Sequence, residues 1–130
     1  MKPNSLLTIT SLLSILLTSL HVTDDIVRGM ERPGPENVGV VVILVVWLFA
    51  TLLFAERRAG YVIMLLGGIA AVAVPVLHMK GARYPAIVTS NGGFFFVWAL
   101  IAIGVTGASA ALLSAWALWV SFRGRRAASA

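Results

Sequence analysis

The chain has 130 residues, of which 59% are hydrophobic and only 12% charged, with a net charge of +5 and no cysteine. Soluble domains carry about 45–50% apolar and about 25% charged residues, so this composition predicts a protein solvated by lipid. The absence of cysteine excludes disulfides, cysteine nucleophiles and thiolate metal sites, and the length predicts a single domain over residues 1–130.

The first apolar segment, residues 6–22, contains no charged residue and is long enough to cross a bilayer as a helix. We predict a helix over residues 5–28. It is expected to be retained and not cleaved as a signal peptide, because Lys2 is the only basic residue before it and the acidic pair Asp24 and Asp25 follows it.

Three further apolar segments predict helices over about residues 38–56, 60–79 and 93–122. A polar connection with two prolines separates the first helix from the second. The turn between the second and third helices is very short, so these helices are antiparallel neighbours. The fourth is longer than a bilayer requires and has to tilt, bend or protrude. The sequence therefore predicts an all-α membrane protein, a four-helix transmembrane bundle with short loops.

The basic residues lie at the ends of the apolar segments and not along one helix face, which indicates membrane orientation and argues against a nucleic-acid surface. With four spans, the side that holds both termini carries Lys2, Arg57, Arg58, Arg123, Arg125 and Arg126, and the other side carries Arg28, Arg32, Lys80 and Arg83. This excess predicts cytoplasmic termini. The small size and short loops favour a bacterial plasma membrane.

Small residues provide the close packing that holds helices together in lipid. The third and fourth predicted helices contain such residues four positions apart, namely Gly67 with Ala71, Gly104 with Ala108, and Gly107 with Ala111. We expect these to be packing faces. The second predicted helix has no comparable face, so we expect broad contact with lipid.

The first predicted helix carries a polar stripe, defined as Ser11, Ser14, Thr18, His21 and Asp25. The spacing of these residues places all five side chains within an arc of about 80°. Because polar groups facing lipid are costly, the stripe is expected to point into the bundle or into a water-filled cleft. One interpretation is that it forms hydrogen bonds to the third and fourth helices.

An outer-face network of ionisable residues is predicted at the end of this stripe, comprising Asp24, Asp25, Arg28, His78 and Arg83. The first and third helices run in the same direction, so His78 is expected at the depth of His21. His21, Asp25 and His78 could hold a divalent metal, or His21 and His78 could ligate a haem iron. A histidine with a carboxylate could also shuttle protons. The alternative is an ion-pair network without a ligand.

Three functions follow from these features. The lack of zinc-peptidase, serine-hydrolase and phosphate-loop motifs, together with the small-residue faces, favours a non-enzymatic oligomer or a subunit of a larger membrane complex. The second is haem or metal binding at the outer face. The third is an enzyme or carrier for a lipid-like substrate, with His21 and Asp25 as an acid/base pair beside a lipid-sized pocket. The expected partners are membrane lipids.

Overall fold

A computed structural model describes residues 3–32 and 34–128, which form five α-helices and no strand. The helices are α1 (Pro3–Val27), α2 (Val38–Leu53), α3 (Arg58–Met79), α4 (Tyr84–Val88) and α5 (Gly93–Ala128), and a 3₁₀ turn (Pro35–Asn37) precedes α2. Helices α1, α3 and α5 are long and apolar enough to cross a membrane, whereas α2 is apolar but has only 16 residues. The all-α prediction is confirmed, and the apolar helices are compatible with a membrane protein.

The largest differences from the predicted helices are at the ends of α2 and α5 and in the segment that forms α4. Helix α2 ends at Leu53 and not at residue 56, because Phe54 leaves the helical conformation and its carbonyl accepts a hydrogen bond from the Arg57 amide. Helix α5 continues to Ala128, since the alanines and arginines after residue 122 are good helix formers. Helix α4 lies in a segment predicted to be a loop, where a proline near the start of the helix suits its first turn.

The helices alternate in direction along the bundle. Helices α1 and α3 run in parallel, because their last turns meet at Asp25 and His78. Helix α5 runs in the opposite direction, packing mainly against α3 and also against α1, and α2 packs against α1 and α3. We call the end with Asp25 and His78 the site end. We call the other the basic end, where Arg58 donates a hydrogen bond to the Ser121 carbonyl.

The small residues of α3 and α5 are packing faces, as predicted, and they pack within the chain. A Cβ atom added to Gly68 would lie 2.7 Å from the Gly107 carbonyl oxygen, and one added to Gly107 would lie 2.6 Å from the Ala71 Cβ. Gly67 lies against the ring of Trp47 from α2. The absence of side chains therefore lets the backbones of α3 and α5 approach each other closely.

Helix α2 is broadly exposed, as predicted, with buried side chains only at Trp47, Ala50 and Thr51. Two of these bind the polar stripe of α1. The Trp47 indole N–H donates to the Ser11 hydroxyl oxygen at 2.7 Å, and the Ser11 and Thr51 hydroxyl oxygens are 2.9 Å apart. The prediction that the stripe forms hydrogen bonds to the third and fourth helices is wrong for Ser11, because the partners of Ser11 lie on α2.

All five residues of the stripe are buried, so their side chains point into the bundle. Ser14 donates to the Thr106 hydroxyl oxygen of α5 at 2.8 Å, which agrees with the predicted hydrogen bonding to the last helix. Thr18 has no hydrogen-bond partner for its buried hydroxyl among the described residues. The stripe thus binds α2 through Ser11 and α5 through Ser14. Its other end, with His21 and Asp25, lies at the site end of the bundle.

Candidate metal centre

Three residues predicted as metal ligands come together at the site end of the bundle. His78 Nε2 lies 3.0 Å from Asp25 Oδ2 and 3.3 Å from His21 Nε2, and His21 Nε2 lies 3.5 Å from the same carboxylate oxygen. The two imidazole rings meet edge to face at 70°. Two residues of α1 and one residue of α3, more than fifty positions later in the chain, therefore direct three potential ligand atoms toward one point.

The end of α1 fixes the position of Asp25. Gly29 adopts a left-handed conformation with φ of 69°, which glycine tolerates without steric cost. The Met30 amide then donates to the Asp25 carbonyl and the Gly29 amide to the Ile26 carbonyl, the two hydrogen bonds of a Schellman cap. Asp25 thus lies on the last ordered turn of a helix that ends where the glycine predicts.

The orientation of His78 is set by its own helix. Its Nδ1 atom lies 2.9 Å from the Val74 carbonyl oxygen, four residues earlier in α3. Because a carbonyl oxygen only accepts hydrogen bonds, Nδ1 carries the proton and donates it. In a neutral imidazole this leaves a lone pair on Nε2, the atom that faces Asp25. A backbone acceptor on the second ring nitrogen is typical of metal-ligating histidines.

This arrangement leaves a contact between two acceptors unless a proton or a metal ion lies between them. A neutral His78 would direct its Nε2 lone pair at the Asp25 carboxylate oxygen 3.0 Å away, which is a repulsive contact between two acceptors. The contact becomes favourable when a proton on either His78 Nε2 or Asp25 Oδ2 is shared between them, or when a metal ion lies between the three atoms. Asp25 and His21 are 4% and 3% exposed, so water contributes little to balancing the carboxylate charge.

The spacing of the three atoms matches a tetrahedral metal site. Zinc binds nitrogen and carboxylate oxygen at about 2.0–2.2 Å, so the ligand atoms of a regular tetrahedron lie about 3.3 Å apart. The three observed separations are 3.0, 3.3 and 3.5 Å. His21, Asp25 and His78 could therefore hold one small ion with little rearrangement.

Phe96 of α5 supports both rings and was not predicted as a site residue. Its ring centroid lies 5.3 Å from that of His21 and 6.2 Å from that of His78, and its side chain is buried. No sequence signal distinguishes it from its neighbours Phe94 and Phe95. Both of these are largely exposed, and only the packing of α5 selects the third phenylalanine of the run.

The predicted outer-face network divides into two parts. Arg28 Nε donates to Asp24 Oδ2 at 2.6 Å and does not pair with Asp25. The same guanidinium donates to the Ser90 hydroxyl and the Asn91 carbonyl, which fastens the loop before α5 to α1. Asp24 is thus paired with Arg28 and stands apart from the cluster of His21, Asp25 and His78.

The prediction that Arg83 belongs to this ion-pair network is wrong. Among the described side chains it pairs with no carboxylate, and its one hydrogen bond goes to the Gly29 carbonyl oxygen at 3.4 Å. It nevertheless lines the same cavity as Asp25 and His78. This cavity has a volume of about 550 Å³ and lies between the last turns of α1 and α3 and the start of α5.

Two other cavities bear on the predicted lipid-substrate function. A cavity of about 190 Å³ reaches His21 between α1 and α5, which is too small for a lipid. A groove of about 380 Å³ between α1 and α2 is apolar, but none of the stripe residues lines it. Of these three cavities, only the one of about 550 Å³ both reaches the stripe, at Asp25, and lies in the size range of small-molecule sites.

Comparison of the chain with protein-family models, with curated proteins and with solved structures found no match. Inference about function therefore depends on the geometry of the site alone.

Proposed function

We propose that the protein is an integral membrane protein that binds one divalent transition-metal ion at the site end of its bundle, through His21 Nε2, His78 Nε2 and Asp25 Oδ2. The observation that carries the proposal is the convergence of these three atoms at separations of 3.0–3.5 Å, with His21 and Asp25 buried and His78 partly exposed. The hydrogen bond from His78 Nδ1 to the Val74 carbonyl supports it, because it leaves Nε2 free to bind a metal.

Zinc suits this ligand set best. Two imidazoles and one carboxylate form the ligand set of several catalytic zinc sites, whereas calcium and magnesium prefer oxygen ligands throughout. Other imidazole-binding metals such as copper, nickel and iron compete for the same atoms. Three protein ligands leave a fourth tetrahedral position open, and the 550 Å³ cavity adjoins the site at Asp25 and His78.

Haem fits the same residues less well. An iron atom between two axial nitrogens, with metal–nitrogen bonds of about 2 Å, would need these nitrogens about 4 Å apart. Here the two Nε2 atoms are 3.3 Å apart, and the Asp25 carboxylate enters the space that a porphyrin ring would require. The geometry therefore favours a single ion over the predicted haem.

The structure gives less support than the sequence to a function as an oligomer or as a subunit of a larger complex. The glycine faces that favoured it pack against each other within the chain, at Gly68 and Gly107. They are therefore not available to a neighbouring subunit. In the orientation predicted from the basic residues, the termini are cytoplasmic and the metal centre lies at the outer face of a bacterial plasma membrane.

Zinc titration of the purified protein in detergent, in competition with a chromophoric chelator, tests the proposal. We expect one zinc ion per chain and loss of binding in Asp25→Asn and in His78→Ala. Asp24→Asn is the matched control, because Asp24 is the adjacent carboxylate but pairs with Arg28. Folding of each variant is checked by circular dichroism.

Two outcomes would contradict the proposal. One is that the folded wild-type protein binds no zinc, in which case the imidazoles and Asp25 are held together by protons alone. The other is equal zinc binding by Asp25→Asn and Asp24→Asn, which would place the ion elsewhere.

A further inference from the structure

The cavity beside the proposed metal site combines an open coordination position with the cation of Arg83. Its buried wall includes Asp25 and Phe96, and its exposed residues include Arg83 and Glu31. Arg83 has no carboxylate partner among the described side chains. A guanidinium in this setting can bind a second anion through two parallel hydrogen bonds, a geometry that suits carboxylate and phosphate groups.

The charges around the cavity favour a monoanion. A divalent ion on Asp25, together with Arg83 and Glu31, leaves one net positive charge once the two carboxylates are counted. A phosphodiester carries one negative charge. It offers one oxygen to a metal ion and others to an arginine, so a single group can satisfy both.

The position of the cavity favours a phosphate from a lipid headgroup. It lies at the ends of α1 and α3, where these apolar helices give way to loops, which is the level of the headgroups in a bilayer. Leu77 and Ile87 also line it, and Leu77 is 69% exposed. The wall thus provides apolar surface next to charged groups, as a phospholipid requires.

We propose that the cavity binds a phosphodiester monoanion, which occupies the fourth position of the metal ion and pairs with Arg83. This inference rests on the metal site proposed above. It makes the bound ion the recognition element for a phosphodiester and not only a structural link between α1 and α3. It also gives Arg83 an anionic partner, which it lacks among the described side chains.

Cobalt(II) absorption spectroscopy tests the proposal, because the visible bands of tetrahedral cobalt respond to a change of ligand. The cobalt-loaded protein in a neutral detergent is titrated with dimethyl phosphate in one arm and with a short-chain phosphatidylglycerol in the other. We expect both to shift the bands. We expect Arg83→Ala to weaken the apparent affinity about tenfold or more, and Arg83→Lys to restore part of it.

Arg32→Ala is the matched control, because Arg32 is an exposed arginine outside the cavity. A shift with phosphatidylglycerol alone assigns a lipid as the source of the phosphodiester, and a shift with dimethyl phosphate of equal affinity assigns a free molecule. Cobalt bands that neither compound changes would overturn this inference and leave the metal site intact. The absence of cobalt bands in folded wild-type protein would overturn both proposals. Equal weakening by Arg32→Ala would show a general charge effect and overturn the role of Arg83.

Discussion

His78 owes its orientation to the turn of α3 that carries it. The bond from its Nδ1 to the Val74 carbonyl is local, and it directs Nε2 toward Asp25 on a different helix. The side chain of His21 is 2% exposed, whereas that of His78 is 31% exposed. Of the two histidines, His78 therefore has the more direct access to the cavity and to solvent.

A double-mutant cycle of His21→Ala and His78→Ala measures whether the two histidines act as one site. Residues that hold one ion or one network show interaction energies of about 0.5–3 kcal/mol, so we expect the free energies of unfolding to be non-additive by that amount. Added zinc is expected to increase the coupling. As a control, Thr106→Ala combined with His78→Ala should be additive, because Thr106 bonds Ser14 two turns deeper in α1. Additivity in both pairs would count against a shared site.

Trp47 is a second residue whose role is specific. It is 3% exposed, and its indole N–H donates to the Ser11 hydroxyl. Trp47→Phe removes this hydrogen bond and part of the ring that packs on Gly67, so we expect a loss of about 1–3 kcal/mol in the free energy of unfolding. Trp98→Phe is the control at 61% exposure, with an expected change within about 0.5 kcal/mol. Similar losses at both positions would contradict the assigned packing.

Residue spacing predicted part of this site. The interval of four residues places His21 and Asp25 on one face of α1, and the parallel direction of α1 and α3 brings His78 to the same depth. Neither argument identifies Phe96 or the Val74 carbonyl. These depend on the rotation of α5 and on a side-chain rotamer, which a single sequence does not specify.

Helices α3 and α5 approach each other closely at Gly68 and Gly107. A Cβ at Gly107 would meet the Gly68 carbonyl oxygen at 2.9 Å and the Val72 amide nitrogen at 3.2 Å, and backbone atoms cannot rotate away. Overpacking of this kind costs about 1–3 kcal/mol. The shared small-residue face therefore fixes the separation of these two helices.

Gly107→Ala tests this packing against Gly39→Ala. We expect Gly107→Ala to lower the free energy of unfolding by about 1–3 kcal/mol, although alanine is the better helix former. Gly39, on α2, has no atom within 4 Å of an added Cβ, so alanine there should be neutral or stabilising by up to about 1 kcal/mol. Chemical denaturation in one detergent compares the two. Equal responses would show that the glycine face is not tightly packed.

The periodicity of the sequence predicted which helix faces are buried better than it predicted which side chains contact each other. The polar stripe and the glycine spacing correctly indicated which faces of α1, α3 and α5 are buried. The partner of Ser11 was missed because Thr51 is a single hydroxyl in an apolar helix and Trp47 resembles an ordinary lipid-facing side chain. Helix α4 was missed because five residues are too few to show a period.

The whole chain has no cysteine, so its orientation can be measured with single introduced thiols. If the termini are cytoplasmic, Gly34→Cys should react with a membrane-impermeant maleimide added outside intact cells. Gly124→Cys should react only after permeabilisation, and an added Cβ at that position meets no atom within 4 Å. The reverse pattern would place the metal centre on the cytoplasmic side.

Helix α2 is shorter than the neighbouring helices α1 and α3. In a bilayer, this difference in length would affect the surrounding lipid. Its 16 residues extend about 24 Å, whereas the hydrocarbon core of a bilayer is about 30 Å thick and the 22 residues of α3 extend about 33 Å. Such hydrophobic mismatch is relieved when the bilayer thins next to the short helix. Because α2 lies at the edge of the bundle with its valine and isoleucine side chains exposed, in a bilayer the flank that carries α2 would compress the membrane more than the opposite flank. The protein would then partition toward thin membrane regions and orient there with α2 facing the thinnest lipid.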